Sequence, residues 1–93
     1  MKIYFKNDMY FRDYSWTVYG SDNPKITGKP DSTLLNREEG YEMLYFINKM
    51  ADIYNLELIS DCIKIERMIR EKVPAGIHSQ KAIETWIVDN WDN

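Results

Sequence analysis

The chain has one cysteine, Cys62, and one histidine, His78. A lone thiol excludes an intrachain disulfide, and with it the stapled frameworks of small secreted domains. Zinc needs three or four Cys, His or carboxylate ligands, so no metal site and no cofactor is expected. Glycine is sparse. Gly20, Gly28, Gly40 and Gly76 are too scattered to cradle a phosphate, and Gly28-Lys29 lacks the preceding glycine that a P-loop requires. No long hydrophobic run exists either. The longest apolar-rich uncharged stretch, Met43 to Asn48, falls far below the ~20 residues that span a bilayer. Met1-Lys2-Ile3-Tyr4-Phe5-Lys6 holds too short an apolar run for a signal peptide, so a cytoplasmic location without membrane contact is expected.

An excess of positive charge is also missing. The formal net charge is −3, with six basic and six acidic side chains in residues 1–40 and six against nine in residues 41–93. Proteins that live on phosphate contacts carry a basic stripe, and none is visible.

What the chain does have is aromatic side chains, concentrated at one end. Tyr4, Phe5, Tyr10, Phe11, Tyr14, Trp16 and Tyr19 lie within the first twenty positions. Tyr and Trp join a large apolar face to a polar tip, which suits a core or a partner's pocket. Lys2–Lys6 and Tyr14–Tyr19 read as strands; in the second, Tyr14, Trp16 and Val18 alternate with Ser15 and Thr17. Residues 2–19 are therefore expected to form a β-ribbon, with turns at Asn7-Asp8 and Arg12-Asp13. A two-stranded ribbon is marginal alone and must lie on the rest of the domain.

Residues 20–35 are rich in turn chemistry, from Gly20-Ser21-Asp22-Asn23-Pro24 to Thr27-Gly28-Lys29-Pro30-Asp31-Ser32, and read as a surface loop. Helical periodicity then takes over. The spacing predicts a first helix over 36–55, capped by Asn36 with Glu39 at its third position, burying Met43, Phe46, Ile47, Met50, Ile53 and Tyr54. Gly40 in its first turns costs ~1 kcal/mol against Ala, which implies a close neighbour. A second helix over 60–73 starts at Ser60 and buries Cys62, Ile65, Met68, Ile69 and Val73, with Lys64, Arg67, Arg70 and Glu71 facing water. Pro74 and Gly76 stop it. A third over 79–91, capped by Ser79, turns Ala82, Ile83, Trp86, Ile87 and Trp91 inward. The expected fold is α+β: one domain, an N-terminal aromatic β-ribbon packed on a three-helix C-terminal portion.

Constellations that could carry chemistry are few. Cys62 sits on an apolar stripe, where a cysteine is usually a small buried hydrophobe, and His78 lies in the turn before the third helix. Glu38, Glu39 and Glu42 suit a helix start, and Asp89 and Asp92 suit a solvated tail. The second and third helices invite a helix-turn-helix reading. Their joint of about six residues is longer than the usual three or four, and Glu84, Asp89 and Asp92 would repel phosphate. No enzyme is expected.

Two stretches carry a resemblance. They are Pro30-Asp31-Ser32-Thr33-Leu34-Leu35-Asn36-Arg37-Glu38-Glu39-Gly40-Tyr41-Glu42-Met43-Leu44-Tyr45-Phe46-Ile47-Asn48-Lys49 and Ile65-Glu66-Arg67-Met68-Ile69-Arg70-Glu71-Lys72-Val73-Pro74, the latter followed by Ser79-Gln80 and Trp86-Ile87-Val88-Asp89-Asn90-Trp91. Together, over roughly residues 30–91, they resemble small accessory proteins encoded by tailed bacteriophages and prophages, a group without a known active-site motif. The resemblance implies action in a bacterial host by binding a host or phage macromolecule.

The expected function is therefore non-enzymatic docking on a host or phage protein, as a modulator or inhibitor. The candidate binding residues are Tyr10, Arg12, Tyr14, Trp16, Lys25 and Lys29, because Tyr, Trp and Arg dominate interface hot spots. The alternatives are single-stranded nucleic acid on the same face, with Lys2, Lys6, Arg12, Lys25 and Lys29 beside stackable rings, or an acidic DNA mimic using Glu57, Asp61, Glu66, Glu71, Glu84, Asp89 and Asp92. A homodimer through an open ribbon edge is a further possibility.

Overall fold

The computed structural model describes residues 3–16 and 34–92. Within them the chain makes a 3-10 turn at Lys6–Asp8 and then three helices: α1 (Gly40–Ile53), α2 (Ile59–Glu71) and α3 (Gln80–Asp89). Helix α2 is central and packs against both α1 and α3. The stripes predicted by periodicity form the core: Met43, Phe46, Ile47 and Met50 from α1, Cys62, Ile65, Met68 and Ile69 from α2, Ile83 and Ile87 from α3.

The expected β-ribbon is not there. The described residues contain isolated bridges and no strand, so the fold is mostly helical rather than α+β. The reason lies in where the backbone donors of residues 3–16 go. Ile3 and Tyr4 both donate to Asn48 Oδ1 at 2.9 Å. Tyr10 and Phe11 donate to the Glu66 carboxylate at 2.9 and 3.0 Å. Half-buried Asn48 of α1 and buried Glu66 of α2 satisfy the groups that a second strand would otherwise have paired. Between these anchors the Lys6–Asp8 turn closes, with Asp8 N on Phe5 O and Phe5 N on Asp8 Oδ2. The Tyr14–Trp16 alternation survives as a short extended stretch. It pairs at Ser15 with the residues leading into α1: Ser15 N donates to Glu38 O, and Gly40 N to Ser15 O. Residues 17–19 of the second predicted strand, residues 20–33 of the predicted 20–35 loop and Lys2 lie outside the described residues.

Helix boundaries differ from expectation at both ends of α1. Glu39, not Asn36, is its N-cap, with its side chain accepting from Tyr41 N at 3.3 Å. Asn36 instead makes a local turn, accepting from Glu38 N. Gly40 does have its close neighbour: a Cβ there would stand 2.5 Å from the Trp16 ring. At the other end the chain leaves α1 through a Schellman motif. Asn55 adopts φ 56°, and Leu56 N donates back to Ala51 O at 2.8 Å. Ile53 and Tyr54, expected inside, therefore sit on the last turn beyond the reach of α2 and are exposed.

Helix α2 begins one residue before Ser60, with Leu58 as an N-cap that makes no side-chain bond. Arg37 gathers carbonyls at and beyond its C-terminus: the guanidinium donates to Ile69 O in the last turn and to Val73 O, Pro74 O and Ile77 O in the turn that follows. A cation there answers the negative end of the helix dipole, and partial burial lowers the Arg37 pKa. Ser79 caps α3 as predicted, accepting from Ala82 N at 3.1 Å. Ile83 and Ile87 are buried, Trp86 and Trp91 are half-buried, and Ala82 is exposed.

Candidate functional site

The N-terminal aromatic segment is organised around Glu66, whose side chain is fully buried. Its two oxygens offer about four lone-pair sites, and four donors reach them. Tyr4 Oη and Tyr10 N meet Oε1 at 2.5 and 2.9 Å; Tyr14 Oη and Phe11 N meet Oε2 at 2.7 and 3.0 Å. Burial, and then the bond to Glu66, raise the pKa of both tyrosines well above the ordinary phenol value.

Two arginines expected to face water cover the outside of this joint. Arg70 stacks 4.4 Å from the Phe11 centroid and 4.9 Å from that of Tyr14, while Arg67 stands 4.9 Å from that of Tyr10. Arg70 also donates to both oxygens of Asp13, at 2.9 and 2.7 Å, which lowers the Asp13 pKa. Residues 3–16 are thus a strap laid across α2 and fastened by buried polar bonds.

This placement divides the sequence-predicted site residues. Tyr14 belongs to the core, and Trp16 lies half-buried against Gly40, edge-on to Tyr14 and Tyr41. Tyr10 and Arg12 are exposed on the strap. Lys25 and Lys29 lie outside the described residues. Lys6, a cation of the nucleic-acid alternative, is spent over the Trp16 ring at 4.5 Å. Glu66, counted among the surface acids of the DNA-mimic reading, is interior, and Glu71 pairs with Arg67 at 3.3 Å. Residues 3–16 offer no strand edge for the dimer that a ribbon suggested.

The thiol and the imidazole do not meet. Cys62 is fully buried in the first turn of α2, where burial pushes its pKa up to about 11. His78 lies beyond the other end of that helix, and Cys62 to Glu71 alone spans about 14 Å. Among the described residues no group of His, Cys, Asp or Glu is placed to hold a metal ion, and no helix is long and apolar enough to cross a membrane.

Beyond Phe5 and Tyr10 on the strap and Leu34, large apolar side chains are exposed at the end of α1, at the start of α2 and near the end of α3. Leu58 is 61% exposed, Ile53 47%, Val88 45% and Tyr54 41%. Tyr54 and Val88 wall a groove of about 310 Å³, floored by Met50, Leu56, Ile65 and Ile87, with Trp91 and Asp92 also lining it. Local structure explains the floor: the Schellman turn at Asn55 is what brings Leu56 back against Met50.

Polar struts hold the walls. Tyr54 Oη donates to Glu84 at 2.6 Å, tying the end of α1 to α3, and this bond raises the Tyr54 pKa. Lys64 of α2 donates to Trp91 O at 2.6 Å and lies 4.1 Å from the Trp91 ring centroid, fixing the C-terminal wall. Sequence periodicity assigned Ile53 and Tyr54 to the core, and so missed this surface. The available signal was Asn55, a residue suited to ending a helix with positive φ. No family model, curated protein or solved structure matches the chain.

Proposed function

We propose that this chain is a non-enzymatic docking module that takes an apolar segment of a partner protein into the groove between α1, α2 and the end of α3. The observation that carries this reading is the open apolar groove, whose floor of Met50, Leu56, Ile65 and Ile87 lies between the exposed side chains of Tyr54 and Val88. Leu58, two residues beyond the floor residue Leu56, adds to it. It occupies the N-cap of α2, where Ser, Thr, Asp or Asn would satisfy an orphan amide, yet it makes no cap bond and is 61% exposed. A large apolar side chain at a capping position and open to water sacrifices stability, and such violations mark functional surfaces. Tyr54 and Val88, both exposed, wall a groove already held by polar struts, so little ordering remains to be done on binding.

The resemblance to phage and prophage accessory proteins supports a setting in the cytoplasm of a bacterial host. Occupying a partner's surface is enough to make such a protein a modulator or inhibitor. The exposed strap residues Tyr10 and Arg12 define the competing surface. The test is capture from nuclease-treated bacterial lysate by the parent, by Val88→Asp, and by a Tyr10→Ala/Arg12→Ala double variant. Docking in the groove predicts that Val88→Asp loses the captured protein while the strap variant keeps it. The reverse pattern, or capture that disappears with nuclease, refutes the proposal.

A further inference from the structure

We infer that the outer face of α2 is a second docking surface, and that its occupant is an acidic segment of a partner protein: an apolar side chain flanked by Asp or Glu. This face shares no lining residue with the apolar groove described above, so its partner is tested separately.

A groove of about 300 Å³ opens on this face. Half-buried Ile63 and buried Met68 give it an apolar floor. The charged side chains that line it are Lys64, Arg67, Lys72 and Glu71, three cations against one carboxylate. Asp61, one turn before Lys64, and Asp92, beside Trp91, do not line it.

How each charge is used decides what remains. Arg67 and Glu71 pair with each other at 3.3 Å and so cancel. Lys64 is held by neutral groups: its Nζ donates to Trp91 O at 2.6 Å and lies 4.1 Å from the Trp91 ring centroid. That contact fixes the ammonium without neutralising it, and an ammonium has three donors to give. Lys72 is exposed at the C-cap of α2. Among the described residues no salt bridge joins Lys64 or Lys72 to a carboxylate. Two uncompensated cations therefore face one groove of a chain whose net charge is −3.

This pattern selects the partner. Open cations beside an apolar floor suit carboxylates flanking an aliphatic or aromatic side chain, and repel a basic segment. A phosphate backbone offers nothing apolar to Ile63 and Met68, and two cations are few for nucleic-acid binding by an acidic chain. Lys64 and Lys72 stand roughly 12 Å apart along the helix, which sets the spacing of the carboxylates they would meet.

The experiment uses the full chain and two peptides of about twelve residues. One has Leu-Leu at its centre with two Glu on each side; its twin has Gln in place of Glu. A mixed-sequence single-stranded oligonucleotide is the third probe. Calorimetric titration should show the Glu peptide binding at least about tenfold tighter than its twin, with the preference shrinking at high salt. Lys72→Gln should weaken that preference and Lys72→Glu should remove it, while both variants melt within about 4 °C of the parent.

Equal binding of the two peptides, no binding of either, or a preference that Lys72→Glu leaves intact overturns the inference. An oligonucleotide that binds more tightly than the Glu peptide and competes with it would make the partner a nucleic acid, and overturn the inference as well.

Discussion

Removing one phenol from the Glu66 joint tests the strap most sharply. Tyr14→Phe deletes the Oη–Oε2 bond of 2.7 Å and keeps the ring that packs in the core. A hydrogen bond to a charged group contributes about 1.5–3 kcal/mol net, and here the deletion also leaves a fully buried oxygen with one donor fewer. The expected loss is about 2 kcal/mol, a melting temperature lower by roughly 8–16 °C for a domain of this size. Urea denaturation should show a lower midpoint with an unchanged slope, since the surface exposed on unfolding is the same.

The pH dependence follows from the same bonds. Tyr4 and Tyr14 have folded pKa values raised above the unfolded value near 10. Their contribution is complete below that value and is lost as pH rises through it, because the unfolded chain releases protons that the folded chain keeps. At about pH 11 each tyrosine withdraws about 1.4 kcal/mol, so the pair withdraws about 2.8 kcal/mol. A Tyr4→Phe/Tyr14→Phe protein should start less stable and decline less between about pH 9 and 11. A Tyr14→Phe variant within about 0.3 kcal/mol of the parent, or an alkaline decline unchanged by the double substitution, would refute the buried joint.

Three further outcomes follow from the fold. Gly40→Ala should destabilise by about 1–3 kcal/mol, because the new Cβ would stand 2.5 Å from the Trp16 ring; chemical denaturation checks it, and a smaller residue at position 16 should rescue it. Asn55→Ala should cost about 1 kcal/mol at its φ of 56° while Asn55→Gly is neutral or better, as two melting curves would show. Cys62, buried and with its pKa pushed up to about 11, should resist alkylation in the native protein and react on unfolding, which a timed thiol assay reads directly.

Much of the helical portion was legible because periodicity reports burial. Met43, Phe46, Ile47 and Met50 on α1, and Cys62, Ile65 and Ile69 on α2, lie where their spacing puts them. The Ser79 cap and the crowding at Gly40 were legible too, each from a local rule. The β-ribbon failed because alternation reports only which face is apolar. Tyr14 and Trp16 do alternate with Ser15, but Asn48 and Glu66, rather than another strand, take the backbone bonds nearby.

Glu66 was read as a surface acid from its type alone. Its position, four after Cys62 and three before Ile69, already put it on the buried stripe, and a nearby run of tyrosines supplied the donors. The groove was hidden for the opposite reason. Ile53 and Tyr54 continue the apolar stripe of α1, but the chain turns at Asn55 before α2 can cover them.

Leu58→Ser tests the docking account most directly, because it separates stability from function in one substitution. Serine at the N-cap of α2 would accept from an orphan amide that Leu58 leaves without a side-chain partner, a gain of about 1 kcal/mol. The measurement is the melting temperature of Leu58→Ser beside its capture of the partner from nuclease-treated lysate. The account predicts a protein that melts about 4–8 °C higher and captures less. A variant that melts higher and captures as much as the parent would contradict it.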